Sequence, residues 1–133
     1  MNVFFDTNVQ VSAVATRGLC ADIVNVALAE HRLIVGQGVL GELRQVLLRK
    51  LRWPAAMANE LEIFLREHSR VIAESQALDF RELDQDDLTV LGEAVAGEAD
   101  VLVTGDQDLL QIATRSPIKI LTPRGFWELL RAS

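Results

Sequence analysis

The sequence predicts an α/β fold: a three-layer α/β/α sandwich around a central, mainly parallel sheet of four to five strands. Short β-branched and aromatic runs recur along the chain, bounded by polar turn residues, as buried strands require. Longer segments with apolar residues at helical spacing separate them. Two of the strand runs lead into an aspartate, Asp6 after Val3-Phe4-Phe5 and Asp106 after Val101-Leu102-Val103-Thr104-Gly105. Open parallel sheets gather their chemistry just beyond the carboxyl ends of such strands.

Taken in order, Val3 to Asp6 reads as the first strand and Asn8 to Ala15 as a short helix. Leu19, Ile23, Val26 and Ala27 give Leu19 to Glu30 a helical stripe. Leu33 to Val35 is the second strand, ended by Gly36-Gln37-Gly38. Val39, Leu40, Leu43, Val46 and Leu47 stripe the next helix, which Trp53-Pro54 terminates because a proline ring disfavours a helical predecessor. Met57, Leu61, Phe64 and Leu65 mark a further helix, and Val71-Ile72-Ala73 the third strand. Glu74 to Glu82 reads as a loop, and Asp86 or Asp87 starts a helix through Leu91, Ala94 and Val95. Ala99 to Val103 is the fourth strand and Ile118 to Leu121 the fifth. Pro123, well suited to a first turn, opens a last helix with Phe126, Trp127, Leu129 and Leu130.

The length of 133 residues suits one domain, residues 1–133, with no repeat, low-complexity tract or interdomain linker. Half of the residues are hydrophobic, a globular composition, yet charges interrupt every helical segment, so no membrane span is expected. No secretory signal is read at the N-terminus. Cys20 is the only cysteine, which excludes an internal disulfide, fits a reducing, cytoplasmic location, and reads as a small buried hydrophobe. The net charge of −6 argues against coating nucleic acid by bulk attraction, but several of those charges could share one metal site. Arg44, Arg49, Lys50 and Arg52 form a local basic run that reads equally as a solvated helix end or as an RNA-contacting patch.

Topology brings distant acids to one rim. Asp6 and Asp106 follow strands; Glu42 lies about one turn into the helix after strand two. Asp87 opens the helix that leads back into strand four, so it returns to the same carboxyl edge. Clustered carboxylates repel and take up protons unless a cation intervenes. Oxygen donors without supporting histidine or cysteine favour Mg²⁺ or Mn²⁺ over zinc. Two such ions roughly 4 Å apart can hold a phosphodiester, activate water and stabilise the departing oxygen, so hydrolysis of a nucleic-acid backbone is the chemistry that fits.

Each acid has a plainer alternative. Asp6 and Asp106 could cap the turns after their strands, Glu42 alone could be a solvated helix glutamate, and Asp84, Asp86 and Asp87 an acidic helix start. Only the joint topology favours the metal. Asp6-Thr7-Asn8 also superficially resembles the nucleophile loop of haloacid-dehalogenase-type phosphatases, but Asn8 stands where those need an acid. His31 and His68 are isolated from any acid pattern and read as helix-surface residues. Trp53, Phe64, Phe126 and Trp127 fall on apolar helical faces and read as core or interface.

Several motifs together resemble the PIN-domain nucleases. Asp6-Thr7-Asn8-Val9-Gln10-Val11-Ser12-Ala13 is similar to their opening motif, and Leu40-Gly41-Glu42-Leu43-Arg44-Gln45-Val46-Leu47 to their second acidic motif. Asp84-Gln85-Asp86-Asp87 resembles the third. Val103-Thr104-Gly105-Asp106-Gln107-Asp108-Leu109-Leu110, with Ile120-Leu121-Thr122-Pro123, resembles the closing segment. The likeness is greatest to PIN toxins of bacterial type II toxin–antitoxin systems. It implies Mg²⁺ or Mn²⁺ held by Asp6, Glu42, Asp87 and Asp106, with Asp108 and Asp84 as further candidates. It also implies support of the ligands by Thr7, Asn8 and Thr104. By the same likeness the activity would be endoribonuclease action on single-stranded or looped RNA, with a cognate antitoxin and often a homodimer. Gln10 departs from a usually apolar position, Gln85 from a common proline, and Leu88 from a frequent Asn or Asp. The choice among Asp84, Asp86 and Asp87 therefore stays open, with Asp87 favoured. So do two alternatives to an active ribonuclease: an inactive PIN module that binds RNA or a protein, and a structure-selective DNA nuclease.

Overall fold

Val3, Phe4 and Phe5 are all fully buried, although successive strand side chains point to opposite faces. Their sheet must therefore be covered on both sides, and the same holds for Leu33-Ile34-Val35 and Val101-Leu102-Val103. The computed structural model, which describes residues 1–132, shows how. The elements in order are β1 (Asn2–Phe5), α1 (Thr7–Ala15), α2 (Leu19–Glu30), β2 (Arg32–Gly36), α3 (Gln37–Arg49), α4 (Ala55–His68) and β3 (Arg70–Ile72). Then follow α5 (Gln85–Ala96), β4 (Val101–Val103), α6 (Gln107–Gln111), a 3₁₀ turn (Ala113–Arg115), β5 (Lys119–Leu121) and α7 (Pro123–Ala132). All five strands are parallel, in the order β3-β2-β1-β4-β5. The expected α/β/α sandwich is thus observed, with a wholly parallel sheet.

The chain first builds outward from β1 to β2 and β3, then crosses back through α5 to add β4 and β5 on the other side. The strand order therefore reverses between β1 and β4, and a crevice opens at the carboxyl ends of strands on either side of such a reversal. The two are locked in register by Val3 opposite Val101 and Phe5 opposite Val103. The Asp6 amide extends the ladder by donating to the Val103 carbonyl at 3.0 Å. Beneath this edge, Phe126 of α7 meets Phe5 edge-on, ring centroids 5.8 Å apart.

Several boundaries shift from the sequence reading. Asp6 caps α1 instead of ending β1, and α5 begins at Gln85 with Asp84 as its cap. The α6 segment and the 3₁₀ turn were not foreseen, because five residues are too few to show a helical period. Gln10, polar where an apolar residue is usual, is nevertheless buried; its amide donates to the Phe5 carbonyl at 3.1 Å, which satisfies it inside the core. The loop before α5 lies along that helix, with the Gln76 amide donating to the Gly92 carbonyl at 3.0 Å. A Cβ at position 92 would overlap Ser75 and Gln76, so only glycine admits this approach. Further along, Arg115 pairs with Glu82 and lies over the Phe80 ring, fastening the loop to the segment after β4. No single helix among the described residues is long and apolar enough to cross a membrane.

Candidate metal centre

At the reversal between β1 and β4, one hydrogen-bonded chain joins the two strand-end aspartates. Asp6 is buried; its Oδ1 accepts the Thr7 amide and its Oδ2 the Thr104 hydroxyl, both at 2.7 Å. The same Thr104 oxygen accepts the Asp106 amide at 3.0 Å, and Asp106 Oδ1 accepts the Asp108 amide at 2.8 Å. Capping is therefore real for both aspartates, but it occupies one oxygen of Asp106 and leaves the side chain at the rim. Asn8 supports the backbone instead of a carboxylate, its Oδ1 accepting the Gly105 amide at 3.3 Å. Thr7 grips Asp6 through its amide, while its hydroxyl is buried without a well-formed partner.

The third and fourth acids arrive from the flanking helices. Asp6, Asn8, Glu42, Asp84, Asp86, Asp87, Val90 and Asp106 line one cleft of about 360 Å³. Within this region Asp87, Asp106 and Asp108 each present an oxygen within 4.8 Å of the others. Asp6 and Glu42 share the cleft but lie outside that triad. Asp84 spends one oxygen on the Asp87 amide at 2.8 Å, which sets the first turn of α5 and aims Asp87 inward. Asp86 also lines the cleft.

The electrostatics are those of an uncompensated anionic site. Asp87 is raised from 3.8 to about 7, first by burial and then by its hydrogen bond with, and the charge of, Asp106; Asp84 and Asp108 add to this. Burial likewise raises Asp6, with the Thr104 and Thr7 hydrogen bonds opposing and the Asp106 charge adding. Glu42 is raised by burial and by the Asp6 charge; the Thr7 hydroxyl pulls weakly the other way, as does Lys50. A divalent cation would relieve this repulsion. Carboxylate oxygens, with no histidine or cysteine lining the cleft, fit Mg²⁺ or Mn²⁺.

The remaining candidates divide. Arg44 turns toward α4 and pairs with Glu62 at 3.7 Å, a glutamate that also holds Arg66. Arg49, Lys50 and Arg52 are exposed at the far end of α3. The N-terminal ammonium donates to His31 Nδ1 at 3.2 Å, and His68 stacks on Phe64, both away from the cleft. Cys20 is half-buried, and of Trp53, Phe64, Phe126 and Trp127 only Phe126 is wholly buried. Sequence reasoning missed Glu93, a buried acid on α5. Its one signal is a charge on the apolar face of a helix, between Leu91 and Ala94.

No curated protein sequence matches the chain. Solved structures share its fold. VapBC2 of Rickettsia felis, bound to a DNA fragment from its promoter, matches with a TM-score of 0.62 at 19% identity, covering 91% of this chain and 97% of that one. VapBC-1 of nontypeable Haemophilus influenzae gives 0.67 at 17% identity, covering 93% and 99%. FitAcB of Neisseria gonorrhoeae gives 0.57 at 13% identity, covering 91% and 97%. A family model, the PIN domain, matches residues 2–108 and so spans β1 through the acids after β4. The chain belongs to the PIN domain family.

Proposed function

We propose that this protein is a Mg²⁺- or Mn²⁺-dependent endoribonuclease, the toxin component of a type II toxin–antitoxin system. The observation that carries the reading is the meeting of Asp6, Glu42, Asp87 and Asp106 in one cleft at the sheet's reversal point. Membership of a nuclease family gives that cleft its chemical meaning. These four acids would hold the metal, with Asp108 a fifth candidate supported by its closeness to Asp87 and Asp106. Asp84 would shape the site through its cap, and Thr104, Thr7 and Asn8 would orient the ligands and their backbone.

When bound, the ion supplies a polarised phosphoryl oxygen and a water acidified toward hydroxide. The protein's own part is arrangement. Burial favours the proton on Asp6, and Thr104 opposes it by donating to the ionised carboxylate. Asp87, pushed up to about 7 by burial and by Asp106 while no cation is bound, would give up its proton as it takes hold of the ion. The acidic mouth would repel the RNA backbone until cations screen it, and exposed Arg49, Lys50 and Arg52, toward the far end of α3, would supply positive charge for that backbone. The antitoxin and homodimer readings rest on the toxin likeness; Met57, Ile63 and Phe64, exposed on α4, offer apolar surface to such a partner.

The test is digestion of end-labelled RNA hairpins, single-stranded RNA and DNA flaps with Mn²⁺, Mg²⁺ or excess chelator. We expect metal-dependent cuts in RNA loops that Asp6→Asn abolishes. Cleavage that survives chelation, or is confined to DNA, would overturn the proposal.

A further inference from the structure

Glu93 is an acid that the cleft does not use. It is 3% exposed, on the α5 face that meets α3. Its Oε2 accepts the Gly38 amide at 2.8 Å; burial raises the carboxyl, and the Gly38 and Val39 amides oppose that shift. Its Oε1 is buried with no partner. Gly38 and Val39 belong to the first turn of α3, where backbone amides lack intrahelical acceptors, and the local cap position, Gly36, has no side chain to offer. Glu93 therefore caps α3 from another helix, with its charge at the positive end of the α3 dipole. The backbone is shaped for it. A Cβ at position 36 would overlap the Glu93 carboxyl, and one at position 38 would come within 3.2 Å of Oε2.

A serine at position 36 could cap the same turn locally, with no need to bury a carboxylate. What a local cap cannot do is join two helices. Glu42 lies one turn beyond Gly38 on α3; Asp87 lies fewer than two turns before Glu93 on α5, and Val90 between them lines the cleft. We propose that Glu93 is a positioning residue that ties the first turn of α3 to α5 and so fixes Glu42 relative to Asp87. The proposal rests on the reading of those acids as a metal site, although Glu93 itself touches neither metal nor substrate.

The test compares the wild type, Glu93→Ala and Gly36→Ser/Glu93→Ala. Position 36 has extended backbone (φ −81°, ψ 148°), which suits a serine cap. Nitroxide labels on cysteines at exposed Gln45 of α3 and Gln85 of α5, in a Cys20→Ser background, report the spacing of the helices without metal. Calorimetric titration of the unlabelled proteins with Mn²⁺ reports the site. Glu93→Ala should broaden the label distance distribution and weaken Mn²⁺ binding about 10-fold. The double variant should regain thermal stability through its serine cap yet keep both defects; it carries the test alone if Glu93→Ala does not fold. An unchanged distance distribution in Glu93→Ala, or wild-type spacing in the double variant, would overturn the proposal. A wild type that binds no Mn²⁺ would defeat the nuclease reading, while the label distances would still decide the role of Glu93.

Discussion

The Thr104 hydroxyl donates to Asp6 Oδ2 at 2.7 Å and accepts the Asp106 amide at 3.0 Å, so one oxygen couples the ends of two adjacent strands. Because Thr104 and Asp6 are both buried, this link is shielded from water and its geometry is tightly held.

Replacing Thr104 by valine keeps the shape and removes the donor. The buried Asp6 oxygen loses its partner, which should cost about 1–3 kcal/mol of stability. Mn²⁺ affinity should fall by about 10- to 100-fold. Chemical denaturation and calorimetric titration of Thr104→Val measure the two effects separately.

The acids predict an unusual pH response in metal-free protein. Asp87 rises from 3.8 to about 7 on folding, so the folded state keeps a proton that the unfolded chain releases. Its stabilising contribution is complete below the unfolded value and is lost as pH climbs toward 7. Asp6, Glu42 and Glu93 are shifted in the same direction. In chelator, the melting temperature should therefore fall between about pH 5 and about pH 7, and Asp87→Asn should flatten the slope. Added Mn²⁺ should restore stability at the upper end.

Asp86 and Asp108 should separate cleanly. Asp86 lines the cleft but is absent from the close triad, whereas Asp108 belongs to it. Asp108→Asn should weaken Mn²⁺ binding about 10-fold or more, and Asp86→Asn by much less. Equal effects in calorimetry would contradict this assignment.

Among the basic residues, Lys50 is the one whose charge reaches Glu42, while Arg44 is engaged by Glu62. Lys50→Ala should weaken RNA binding and lower the salt slope of the affinity by about 0.7, as expected for one lost contact to a single strand. Arg44→Ala should leave that slope unchanged. Fluorescence anisotropy over a salt series, with catalysis blocked by Asp6→Asn, measures both.

The fold was largely legible because its central strands are short runs with buried apolar cores and its longer helices carry clear stripes. Asp6 and Asp106 could be placed at one rim from strand order alone. Two kinds of feature were not legible. Asp108 was a candidate only through the PIN resemblance, and topology could not place it, because the five-residue α6 that Asp106 caps is too short to leave a periodic trace. Glu93 binds an amide 55 positions away, and no local pattern announces a cap supplied by a different helix. The partial withdrawal of Arg44 had the same cause, since its partner Glu62 lies on the following helix.

The cleft acids should bind a divalent ion together. Calorimetric titration of Mn²⁺ into wild type and Asp106→Asn at neutral pH tests it most directly. The wild type should bind with released protons, because Asp87 titrates near 7, and Asp106→Asn should lose nearly all of the heat. Indistinguishable isotherms for the two proteins, or no binding by the wild type at millimolar Mn²⁺, would contradict it.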